Sequence, residues 1–318
     1  MATGTDATGF AGGTMGERRC RVPEVRDSMH RTRSWRAAAI GLLAVVTIAA
    51  GACAPQAPDG TIATKNWQFR GTQVRVNDSQ DETLGICWPS SLCQDEPYLL
   101  TVGFRVKIGQ HGSAQVQVTN DRTNAPENVG EGQTVQVGNG PGGRNLFNGV
   151  QALDILDLAN TNNKLEVFGT YVWASEEDQV GNGLAANSVA DALKGALNAT
   201  LATADLSNLD ASFIIDLILD NIGNALGILV QNIPLLGLGD DVLGGGMYVG
   251  IGAQGSLGDA LDATIGATPF PTINLPVDVP PSISGGGLYT LTGTKTFTQT
   301  FVGEGGSHTW TMQSGPAV

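Results

Sequence analysis

Histidine is nearly absent from this 318-residue chain, which has three, His30, His111 and His308. General acid–base catalysis draws on histidine more than on any other side chain, so most hydrolase chemistries start here without their usual base. No G-x-S-x-G elbow, no H-E-x-x-H pair and no catalytic cysteine context occurs. Aromatic residues amount to 6 %, few for an exported glycosidase that stacks sugars, and spacing along a sequence does not pick out a glycosidase carboxylate pair. The inventory points away from an enzyme, with a secreted hydrolase kept as an alternative class.

Basic charge is short as well: 17 Lys and Arg stand against 30 Asp and Glu. Seven of those cations fall in the first 52 residues, and the chain beyond carries ten against twenty-six carboxylates, a net charge near −16. Such a net charge repels nucleic acid and anionic lipid head groups over short range, so no nucleic-acid partner is expected. Long apolar runs are missing except one. Ala37–Ala52 is free of charge for 16 residues, short of the ~20 that span a bilayer. A basic stretch, a short apolar run and small residues at its end describe a secretory signal peptide over residues 1–52. Met29 is the better start, because Met29-His30-Arg31-Thr32-Arg33-Ser34-Trp35-Arg36 is a compact basic segment directly before the run.

The run ends in Ala50-Gly51-Ala52-Cys53, which resembles the lipobox of bacterial lipoproteins. That resemblance implies a diacylated Cys53 as the mature N-terminus, with the protein held by its lipid on the outer face of the membrane or in the cell envelope. The rival outcome is cleavage after Ala52 and free secretion. Residues 53–63, with Pro55, Pro58 and Gly60, read as a fold-poor tether.

Cysteine is equally sparse. Cys20 lies in the leader and Cys53 is the anchor, which leaves Cys87 and Cys93. In an exported protein two nearby thiols form a disulfide, here a structural staple. Zinc would need two further ligands, and a redox role would favour the tighter C-x-x-C spacing.

From residue 64 to 318 the chain reads as one domain of mainly β structure (α+β), an antiparallel β-sandwich of about ten strands. Period-two alternation predicts strands at 67–69, 73–76, 98–108, 114–119, 134–137, 165–173, 247–253 and 287–292. A closing hairpin joins 295–302 to 307–313 through Gly303–Gly306, with Phe297 and Phe301 on one strand and Trp310 on the other. Gly138–Gly143 is a glycine loop without a phosphate-binding context. Pro269 to Pro281 reads as an extended surface segment.

One insertion, 187–232, breaks the alternation with two helices. Val189, Leu193, Leu197 and Leu201 recur every four residues, capped by Asn187 or Ser188. In the second helix Ile214, Leu217, Ile218, Ile222 and Leu226 share one side, and Asp210 or Ser212 caps it. These helices are expected to cover one face of the sheet. Their apolar side is also the candidate wall of a cavity for lipid or another apolar ligand, in outline similar to the lipid-binding lipoproteins of mycolate-bearing actinobacteria. Membrane insertion is disfavoured by Asp216 and Asp220 within the run.

Three acidic pairs stand next to strands: Asp95-Glu96, Glu177-Asp178 and Asp240-Asp241. Gathered at one end of a sandwich they would offer oxygen ligands to a hard cation such as Ca²⁺. The competing expectation is six solvated turn residues. Taken together, the sequence suggests an exported, membrane-anchored, non-catalytic binding or structural module.

Overall fold

A computed structural model describes residues 62–79, 94–120, 126–138, 144–176, 183–231, 242–266, 283–303 and 306–317. All of them belong to one compact unit, Ala57–Val318. In chain order the strands are β1 (Thr64–Ser79), β2 (Gln94–Asp95), β3 (Pro97–Lys107), β4 (Gln115–Asn120), β5 (Val129–Gly130), β6 (Thr134–Gln136) and β7 (Arg144–Gln151). The short helix α1 (Ile155–Leu158), strand β8 (Glu166–Glu176) and helices α2 (Gly183–Ala199) and α3 (Ala211–Gln231) follow. The chain then continues through β9 (Val242–Ile251), α4 (Gly255–Ile265), β10 (Ile283–Thr290), β11 (Lys295–Gly303) and β12 (Gly306–Pro316).

Two five-stranded sheets form the β-sandwich. The front sheet runs β11-β12-β1-β6, with β7 also paired to β1. The predicted strands at 67–69 and 73–76 are one long strand, β1. Its inward residues change parity from Trp67 and Phe69 to Val74 and Val76 because the register shifts between Gly71 and Gln73. One extra residue in a β-bulge does this, which keeps both halves of the strand facing the same core. The first half pairs with β7, the second with β6.

The middle sheet runs β10-β9-β8-β3-β4. Its pairs are antiparallel as expected apart from one, β9 with β10, which run parallel. Parallel neighbours need a long crossover, and α4 lies in it. Aromatic side chains fill the space between the sheets: Phe69 stacks on Tyr248 with ring centroids 5.1 Å apart, and Phe147 meets Phe168 at 5.1 Å. Gly250 is glycine because a side chain there would collide with Phe168 and Tyr289.

The opposite face of the middle sheet packs under the helices, where Leu193, Leu197, Ile214, Ile218 and Leu226 meet Leu100, Val102, Phe104, Tyr171 and Met247. The molecule is thus a sandwich with a helical third layer. Its middle sheet is buried on both sides, and every residue of β8 is buried. This explains why β8 reads Val167-Phe168-Gly169-Thr170-Tyr171-Val172-Trp173 with little polar alternation. Among the described residues no helix is long and apolar enough to cross a membrane.

The helical insertion differs from expectation at its start. Helix α2 begins at Gly183, so Asn187 and Ser188 lie inside it and do not cap it. In α3 the expectation holds: Asp210 Oδ1 accepts from the Ser212 amide (3.0 Å) and the Phe213 amide (3.4 Å). Helices α1 and α4 were not legible, and one side chain begins both. Asp154 Oδ1 accepts from Ile155 N (2.7 Å), Leu257 N (3.1 Å) and Ser256 Oγ (2.6 Å). Burial pushes the Asp154 carboxyl up from its ordinary 3.8, but the hydrogen bonds from Ser256, Ile155 and Leu257 outweigh it and hold it below that value.

Asp154→Ala is expected to cost about 1–2 kcal/mol, the range for a lost helix cap. Because the folded-state pKa is depressed, this contribution is present above the unfolded value of 3.8 and is lost as pH falls through the lower folded value. Urea midpoints of the wild type and variant should therefore differ at pH 6 and converge below pH 3.8. A difference that persists undiminished at the acid end would count against this role.

Candidate functional site

The acidic end of the molecule differs from the solvated turns or cation site expected of it. Asp95 sits on the two-residue strand β2, which pairs with β5 and turns the side chain inward. Its carboxylate is 1 % exposed, and Oδ2 lies 2.7 Å from Nε2 of His308, which is fully buried. One oxygen of Asp95 is therefore committed to an internal histidine. Glu96 also has a partner and is half-buried. Register sets the strand ends that carry the three acidic pairs side by side, Pro97 opposite Glu176 and Ser175 opposite Val242. Glu177, Asp178, Asp240 and Asp241 lie outside the described residues, as do Cys53, Cys87, Cys93, residues 139–143 of the glycine loop and residues 267–282 of the proline segment. Among the described residues no group of three His, Cys, Asp or Glu side chains is placed to hold a metal.

The candidate apolar wall is core. Ile214, Ile218, Ile222 and Leu226 are buried in the cluster that joins α3 to the middle sheet, and Leu217 packs against it half-buried. Tyr171, buried on the same side, has its hydroxyl pKa driven far above the ordinary value by burial, so it carries no proton chemistry near neutrality. Beside the front sheet there is an opening of about 240 Å³ next to Arg105. The guanidinium there is already spent on Glu166 and on the carbonyls of Asn148 and Gly149.

The opening that lies between sheet and helices is at the other end of β3. Three turns from distant parts of the chain meet there. One is the β3–β4 turn, Gly109 to Gly112, both glycines having positive φ (70° and 71°). The second is the turn before β8, in which Asn163 Nδ2 donates to Asp157 O at 2.7 Å. The third is the connector between α2 and α3, whose 3-10 turn Leu201–Thr203 accepts the Gly109 amide at Leu201 O, 3.1 Å.

Between these turns lies a cavity of about 430 Å³. Its floor is apolar, with Ile108, Leu158, Leu165 and Ala202 buried and Leu206 half-buried. Its rim is polar: His111 and Asp205 are exposed, and Lys164 is half-buried with no ion pair among the described residues. An apolar floor under a few unspent polar groups is the usual form of a small-molecule site, and the volume falls in the usual range of about 300–1,000 Å³. Sequence reasoning did not find this meeting of turns, whose only signal is that each is a polar turn beside an apolar strand or helix end. No family model, no curated protein and no solved structure matches this chain.

Proposed function

We propose that the chain is exported, held at the outer face of the cell membrane by a lipid on Cys53, and acts there as a non-catalytic binding module for a small amphipathic molecule. The observation that carries this reading is the 430 Å³ cavity between the hairpin turn and the α2–α3 connector. It supports the carrier alternative in an altered form, because the ligand space lies at the helical connection and the face of α3 is filled by core packing. The apolar part of the ligand would rest on Leu158, Leu165 and Ala202, and its polar head would meet Lys164, His111 and Asp205. Support for the anchor is the uncharged run that ends at Cys53, ahead of the compact unit that starts at Ala57.

Mass spectrometry of protein extracted from its own membranes tests both parts together. Denatured protein is expected to carry a diacylglyceryl mass on Cys53. Native protein is expected to carry an additional non-covalent molecule. Leu206→Trp, which fills the cavity from its half-buried rim, should lose the second mass and keep the first. Unmodified Cys53 sinks the anchor; a bound molecule that survives Leu206→Trp, or none in the wild type, sinks the cavity assignment.

A further inference from the structure

Charge in this acidic chain is unevenly distributed. The front sheet carries Arg70, Arg75 and Arg144 on its outward side against one exposed carboxylate, Asp78, at the end of β1, while Lys65 donates to Leu291 O and Lys295 pairs with Asp262 on the inner side. Over the whole chain carboxylates outnumber cations 30 to 17. A face exposed only for solubility would be expected to share that acidic excess; this one reverses it.

The outward positions of the sheet form a regular array. One row across four strands reads Thr298, Thr311, Gln73, Gln136. The next reads Thr300, Thr309, Arg75, Thr134. A third passes from Thr296 and Gln313 to the arginines Arg70 and Arg144. Every position is a hydroxyl, an amide or a guanidinium. Neighbouring rows are about 6.8 Å apart and neighbouring strands about 4.8 Å, so the face is a grid of hydrogen-bonding groups with three positive points. Over the β1 bulge it dips into a hollow of about 480 Å³ lined by Arg70, Gln73, Gln136, Thr311 and Gln313.

We infer that the outward face of the front sheet is a docking surface for an acidic polysaccharide, a chain of sugars bearing carboxylates. The complementarity is twofold. Guanidinium groups pair with carboxylates in a planar, two-point geometry, and the Thr and Gln grid offers donors and acceptors to sugar hydroxyls. Among the described residues this face has no aromatic platform, so recognition goes through charge and hydrogen bonds. A membrane surface fits less well, because interfacial binding relies on inserted apolar residues and among the described residues the large exposed apolar side chain here is Val302 alone, at the strand end (66 % exposed). Duplex DNA, with a charge every ~1.7 Å, would face the full field of a chain whose residues beyond 52 carry a net charge near −16. A polysaccharide spreads its charges, one per sugar, and meets that field less.

Affinity electrophoresis of the purified protein through gels containing polygalacturonate, with neutral dextran as control, tests this at low salt. The wild type should be retarded by polygalacturonate and not by dextran, with retardation lost as salt is raised. Arg75 is exposed, so Arg75→Gln should leave the fold intact, checked by circular dichroism, and weaken binding about tenfold. Arg75→Lys, which keeps the charge without the planar fork, should fall between. Absence of retardation, equal retardation by dextran, or no effect of Arg75→Gln overturns the proposal. Comparable or tighter binding to phosphatidylglycerol vesicles or to duplex DNA also overturns it and assigns the face to that partner.

Discussion

Glu166→Ala is expected to lower stability by about 3 kcal/mol, the low end of the range for breaking a buried charge pair. Glu166 stands at the start of β8 with 1 % of its side chain exposed, and both oxygens are used. Oε1 accepts from Arg105 Nε at 2.5 Å, and Oε2 accepts from the Gln151 amide on β7 at 3.0 Å. Arg105, 22 % exposed, also donates to Asn148 O at 2.8 Å and Gly149 O at 3.4 Å. Together the pair ties the middle sheet to the end of β7 in the front sheet. Alanine would leave a half-buried amide without an acceptor and a guanidinium without its counter-charge, and each is costly where water is largely excluded. The backbone at this point is held independently, since Gly252 N donates to Glu166 O at 2.7 Å, so the loss should be a side-chain effect with an unchanged urea m-value. Glu166→Gln keeps an acceptor for Gln151 and should lose clearly less. Equal losses in the two variants, or a loss under about 1 kcal/mol in Glu166→Ala, would mean that water screens the pair as it does at surfaces.

The strands that alternate cleanly, β4 and the β11–β12 hairpin, were legible because one face is apolar and the other is not, while β3 was legible from its Val, Leu and aromatic content although both its faces are buried. β8 was legible as a strand, but its burial on both sides is a property of the layer above it. β7 went unread. Arg144-Asn145-Leu146-Phe147-Asn148-Gly149-Val150 looks like a polar turn, yet Asn145 faces inward and is satisfied by Thr119 and Thr170 (3.0 and 3.2 Å). Those partners come from two other strands, which no local pattern reveals. Helix α4 opens on Gly255-Ser256-Leu257-Gly258, a turn-like string, whose Ser256 Oγ and Leu257 N donate to Asp154, about a hundred residues away in sequence. The parallel pairing of β9 and β10 follows from the crossover between them and not from any period within them.

The candidate cavity was hidden for the same reason. Its walls are three turns that only the fold brings together, and each looks ordinary alone. Asp95 shows the opposite error. Beside Glu96 and Pro97 it reads as a solvated turn, and the two-residue pairing of β2 with β5 is enough to turn it into the core. Short strands of this kind lie below the length at which alternation can be seen.

Asp95 and His308 should accordingly behave as a unit under mutation. His308 lies in the inward row of β12 with Trp310, Met312 and Ser314, all buried. Its Nε2 meets Asp95, and its Nδ1 is buried with no hydrogen-bond partner among the described residues. Asp95→Val would leave both ring nitrogens unmatched and is expected to cost about 3 kcal/mol. His308→Leu should cost more, because the group stranded is then a carboxylate rather than an imidazole. The double variant removes both polar groups at similar total volume, and apolar replacement of a whole buried pair is close to neutral. It is expected to fall within about 1 kcal/mol of the wild type. Equilibrium unfolding of the four proteins gives the coupling directly as the departure from additivity. Additive losses would show that the two side chains are solvated separately, and the short β2–β5 sheet would then need some other tie to the inner face of the front sheet.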